Sequence, residues 1–97
     1  MAANDEDDAI RARVQIVNDK GLHARASAKL AALAVTFAAQ IILSRDGLSV
    51  NAASIMGLLM LVASKGSSVD IEARGVEAAD AVRSITSLIA DGFGEAH

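Results

Sequence analysis

Two hydrophobic periods alternate along the chain, and their order restricts the fold more than any other feature. Residues 10–17, IRARVQIV, place Ile10, Ala12, Val14 and Ile16 on one side and Arg11, Arg13 and Gln15 on the other. A period of two with one polar side predicts a half-buried strand. NDKG at 18–21 turns the chain. Residues 24–38 then take the helical period, with Ala28, Ala31 and Val35 on one stripe and Leu30, Leu33 and Phe37 beside it. QIILS at 40–44 reads as a second strand, Asp46-Gly47 as a tight hairpin, and LSVNA at 48–52 as a third strand. A helix is expected over 55–63, IMGLLMLVA, with Ser54 as its N-cap. After a loop at 64–68, residues 69–73 alternate again, with Val69, Ile71 and Ala73 on one face. Arg74-Gly75 ends that strand. The last helix is expected over 76–91, with Ala79, Val82, Ile85 or Thr86, and Ile89 inward and Glu77, Asp80, Arg83 and Ser87 outward, until Gly92 stops it.

Strands that are polar on one side need cover on one face only. The order strand, helix, strand, strand, helix, strand, helix therefore predicts an α+β fold. It is a four-stranded, mainly antiparallel sheet with three helices on one face. A chain of 97 residues suits one such domain. It is expected over residues 10–92, between an acidic disordered tail at 1–9 and a short C-terminal tail at 93–97.

Charge and composition remove several function classes. Asp5, Glu6, Asp7 and Asp8 supply four of the twelve acidic residues, and without them the net charge of −3 becomes +1, so the body is near neutral. A nucleic-acid binder would show a basic face. The aromatic residues are Phe37 and Phe93, too few for base-stacking platforms. There is no cysteine, so disulfides, thiolate metal sites and a cysteine nucleophile are absent. No apolar stretch reaches the ~20 residues of a membrane span, and no charged leader precedes one. A soluble cytoplasmic protein, with neither nucleic acid nor membrane as partner, is expected. The two histidines, His23 and His97, lie far apart and no carboxylate is spaced to join them, so neither a metal nor a cofactor is expected. His97, at the terminus, is read as passive.

DKGLHARASAKL at 19–30 sets His23 where a turn meets the first turn of a helix. A neutral imidazole has a lone pair and serves as a nucleophile. At a helix start the amides of Ala24, Arg25 and Ala26 lack intrahelical acceptors and are disposed toward an anion, which the helix dipole also favours. Arg25 adds a planar cation matched to phosphate oxygens, and Gly21 permits a positive φ in the turn. Spacing alone leaves two alternatives open. One is a non-catalytic α/β interaction module in which His23 only caps a helix; the other is a general anion binder.

GLHAR at 21–25, DGLSVNA at 46–52 and SIMGLLML at 54–61 together resemble the HPr phosphocarrier family of the phosphoenolpyruvate-dependent phosphotransferase system. The resemblance runs over about residues 10–92. It implies an open-faced β-sandwich of four strands and three helices. It also implies a carrier cycle in which His23 takes a phosphoryl group at Nδ1 from enzyme I and gives it to an EIIA-type protein. Such a chain is a substrate of enzymes more than an enzyme itself, and it acts as a monomer. Arg25 is its charge-compensating partner. Ser54 falls on the family's regulatory serine, the target of HPr kinase/phosphorylase, although Ala53 stands where many kinase-regulated members have lysine. Ile55, Met56 and Leu59 fall where partners dock, and Lys29, one turn from Arg25, frames that patch. Ala26 stands where sugar-transporting members often have proline. It resembles the nitrogen-regulatory branch, with a sugar-uptake HPr as the alternative.

Overall fold

In the computed structural model, which describes residues 8–95, the first alternating run forms strand β1, Ile10–Gln15. It is followed by α1 (Ala24–Ala34), β2 (Gln40–Arg45), β3 (Leu48–Asn51), α2 (Ile55–Met60), β4 (Ser68–Arg74) and α3 (Ala78–Ala90), with a 3₁₀ turn at Gly92–Gly94. The strands pair in the order β1-β4-β2-β3, every neighbour antiparallel. The expected class and element order therefore hold. Residues 1–7 of the expected N-terminal tail and residues 96–97 of the expected C-terminal tail, His97 among them, lie outside the described residues.

Alternation decides which face of the sheet is covered. Val69, Ile71 and Ala73 of β4 and Ile41 and Leu43 of β2 are buried beneath the helices. The opposite face is charged and paired across strands. Arg11 faces Glu72 and Arg13 faces Asp70 in the β1–β4 register. Their side chains meet at 3.0 and 2.8 Å, and Arg74 also binds Glu72. These exposed pairs contribute little stability each, but they make the outer face self-complementary in charge. Hydrogen bonds from Arg13 hold the Asp70 carboxyl below the usual carboxylate range, and those from Arg74 and Arg11 do the same for Glu72.

The core is aliphatic. Leu30, Leu58, Ile16, Ile85 and Ile89 meet in it, and the one fully buried aromatic among the described residues is Phe93. The expected tail at 93–97 thus begins inside the fold, because burying Phe93 draws the chain back onto the body after α3. Among the described residues no helix is long and apolar enough to cross a membrane.

The helices are shorter than their periodicity predicts. The first was expected to reach residue 38 but stops at Ala34. There the Thr36 amide bonds to the Leu33 carbonyl at 3.0 Å, tightening the exit so that β2 can lie beside β4. Val35, read on one stripe with Ala28 and Ala31, is exposed in that exit. The last helix begins at Ala78, two residues late, and its buried stripe is Ala78, Ala81, Val82, Ile85 and Ile89. Ala79, expected in the core, faces solvent, and Ile85 rather than Thr86 takes the inward place.

The middle helix, expected over 55–63, ends at Met60. Leu61 and Ala63 must both be buried, so the chain unwinds between them and turns Val62 outward with φ +49°. A β-branched residue is strained there. Val62→Gly should raise stability by up to about 1 kcal/mol, after allowing for glycine's larger unfolded-state entropy. The urea midpoint measures this, and a lower midpoint would count against strain at that residue.

Candidate functional site

The segment before α1 is fastened at several points before it delivers His23. Asn18 is fully buried and donates from Nδ2 to the Gly21 carbonyl at 2.9 Å, while the Gly21 amide returns a bond to Asn18 O at 3.1 Å. The Leu22 amide donates to Ala63 O at 2.8 Å, tying this loop to the segment after α2. The buried Ser27 hydroxyl donates to Leu22 O at 3.1 Å and ties the first turn of α1 to the same loop. Gly21 has φ +64°, and a Cβ there would stand 2.5 Å from Ala63 O. No L side chain fits that approach.

His23 is the N-cap of α1, extended at φ −76° and ψ −178°, and its carbonyl accepts the first intrahelical bond from Ser27 at 2.8 Å. The amides of Ala24, Arg25 and Ala26 precede that bond and have no intrahelical acceptor. Ala26 is fully buried, so the two that belong to exposed residues are those of Ala24 and Arg25. The imidazole is half-buried, with 26% of its side chain exposed. Its Nε2 lies 2.5 Å from Glu95 Oε2. An ionised carboxylate only accepts, so Nε2 carries a proton, and in the neutral ring the lone pair is then on Nδ1.

Two depressions flank the ring. Asp19, Lys20, Arg25, Lys29 and Glu95 line one of them with His23, so three cations stand around it. Bonds from His23 and Asn18, with the charge of Lys20, hold the Glu95 carboxyl below the usual carboxylate range. The other depression is largely apolar and brings Leu22, Leu59, Val62 and Ala63 to His23. Met56 and Ile55 stand exposed one helical turn before Leu59. His23 thus shares one depression with Arg25 and Lys29 and the other with Leu59. Ser54 caps α2 as expected, its Oγ accepting from the Gly57 amide at 3.0 Å. Among the described residues no group of side chains is arranged to hold a metal ion.

Sequence reading missed four residues here. Met60 and Val62 are exposed beside the expected apolar patch. Asn18 and Glu95 reach the site through tertiary contacts. One signal pointed to the last of these: Phe93, a lone aromatic just past the expected helix end, is an anchor that returns the chain to the body.

A small sheet-and-helix domain of this topology, with an imidazole at the start of its first helix, is the architecture of the histidine phosphocarriers. Residues 10–91 match the family described as PTS HPr component phosphorylation site, and the chain belongs to that family. It is 50% identical over 80 residues to the phosphocarrier protein HPr of Cupriavidus necator, covering 82% of this chain and 90% of that one. It is 36% identical over 87 residues to the phosphocarrier protein NPr of Escherichia coli, covering 89% and 97% respectively. The crystal structure of HPr-C-His from Thermoanaerobacter tengcongensis superposes with a TM-score of 0.87 at 36% identity, covering 91% of this chain and 99% of that one.

Gly21→Ala should destabilise the fold by more than about 2 kcal/mol, from the left-handed φ together with the clash. Thermal denaturation measures it, and a loss near zero would mean that the Ala63 segment yields freely.

Proposed function

We propose that His23 accepts a phosphoryl group at Nδ1 from phosphorylated enzyme I and passes it to an EIIA-type protein in a cytoplasmic nitrogen-regulatory phosphotransferase system. The observation that carries this reading is the engagement of Nε2 by Glu95. It leaves Nδ1 as the nucleophile, on a ring that caps α1. The lone pair attacks phosphorus while the donor's bond breaks. The amides of Ala24 and Arg25 and the Arg25 guanidinium then accept the charge on the phosphoryl oxygens. Little of this machinery is enclosed, which suits a group that must be handed on. The apolar depression lined by Leu59 and Val62, with Met56 and Ile55 a turn away, offers partners an adaptable docking surface framed by Lys29.

Ala26 supports the nitrogen-regulatory branch, whose members this chain resembles in carrying alanine where sugar-transporting members often have proline. Identity of 50% to a protein named HPr supports the second reading, a sugar-uptake carrier. Mixing the phosphorylated protein with each type of EIIA decides between them; rapid dephosphorylation by the sugar-type acceptor alone would reverse the preference.

Incubation with phosphoenolpyruvate and enzyme I should add one acid-labile, base-stable phosphate, absent from His23→Ala. Arg25→Ala should slow transfer at least tenfold, the scale of one lost charge-assisted contact, while shifting stability by no more than about 0.5 kcal/mol. No phosphate on the wild type would leave His23 as a mere helix cap.

Ser54 is proposed as a second, regulatory phosphorylation site. A phosphate on its Oγ would sit at the start of α2, where added negative charge is tolerated, and beside the apolar patch, where it is not. Ser54→Asp should preserve the circular-dichroism spectrum and slow phosphorylation by enzyme I. Unchanged kinetics would remove the switch.

A further inference from the structure

The contact between Glu95 and His23 is supported from both ends of the chain. After α3 the backbone bends through Phe93, whose φ is +59° and whose ring is buried. Lys29 Nζ donates to the Phe93 carbonyl at 2.7 Å and fixes the bend against α1. Asn18, without exposed surface, donates from the same Nδ2 to Gly21 O and, at 3.0 Å, to Glu95 Oε1. Glu95 Oε2 is thereby left to the imidazole, with 18% of the Glu95 side chain exposed. The Asn18 Oδ1 atom is buried and finds no partner among the described residues. An unpaired buried acceptor is unfavourable. The amide orientation is thus dictated by its two donor contacts and not by its own satisfaction.

We infer that Asn18 and Glu95 are positioning residues that keep a proton on His23 Nε2 throughout phosphoryl transfer in both directions. This rests on the assignment of His23 Nδ1 as the phosphorylated atom. On loading, the Nδ1 lone pair forms the N–P bond, and the electron pair of the breaking bond stays with the donor. The ring keeps its Nε2 proton and becomes a phosphoimidazolium, its positive charge facing the Glu95 carboxylate. On unloading, the N–P electron pair returns to Nδ1 and the ring leaves as neutral imidazole. No proton moves in either step. Without the carboxylate the phosphorylated ring gives up its Nε2 proton more readily, and it would then have to leave as imidazolate, a far poorer leaving group.

The test uses the full chain and its Glu95→Gln and Glu95→Ala variants, each loaded with phosphoenolpyruvate and enzyme I and then freed of them. Loss of phosphate is followed from about pH 5 to about pH 8, the range in which an imidazole changes charge. Asp19, Lys20, Arg25 and Lys29 also face this ring and remain unchanged in both variants. Near neutral pH both variants should release phosphate roughly three- to tenfold more slowly, the scale of one partly exposed charge-assisted contact. Their pH profiles should shift toward acid. Nitrogen-15 spectra of the unphosphorylated ring should show the neutral form of the wild type with its proton on Nε2, and a tautomer mixture in Glu95→Ala. Superimposable pH profiles in all three proteins would overturn the inference. If the wild type takes up no phosphate, the reading of His23 fails instead. The tautomer comparison then still decides the proton-holding role, an unchanged tautomer in Glu95→Ala refuting it.

Discussion

One backbone hydrogen bond, from the Leu22 amide to the Ala63 carbonyl, sets the geometry on which the working end of this protein depends. It joins the loop before α1 to the loop after α2. Gly21 is required because the two backbones approach too closely for any Cβ, and Val62 is forced outward because Leu61 and Ala63 must both enter the core. The same bond places an anion-compatible helix start beside an apolar depression. The charged surface around Arg25 and the greasy surface around Leu59 meet at His23 because the two loops meet beneath it.

Sheet and site differ in what carries their information. A strand's inward and outward faces are written into consecutive residues, so β1 and β4 could be read by alternation, although Ile10 at the start of β1 stays exposed, whereas β2 carries an unbroken apolar run at 41–43. Helix ends are not local in that sense. Nothing within residues 30–38 announces that α1 stops at Ala34; the need to lay β2 beside β4 does. A shift of two residues at the start of α3 was enough to exchange Ala79 for Ala78 in the core.

The candidate site divides along the same line. His23, its flanking amides and Arg25 occupy one continuous stretch, and the chemistry of that stretch can be reasoned out from residue types. Asn18 and Glu95 meet across 77 positions, and Glu95 meets His23 across 72. Neither pairing has a local signature. Only the buried ring of Phe93 hints that the last described residues belong to the body.

The ladder of arginine–carboxylate pairs on the outer face of the sheet has a consequence for traffic. That face satisfies its own charges across β1 and β4, so an approaching charged surface would have to compete with pairs already made, each weak by itself and held together by the register of the strands.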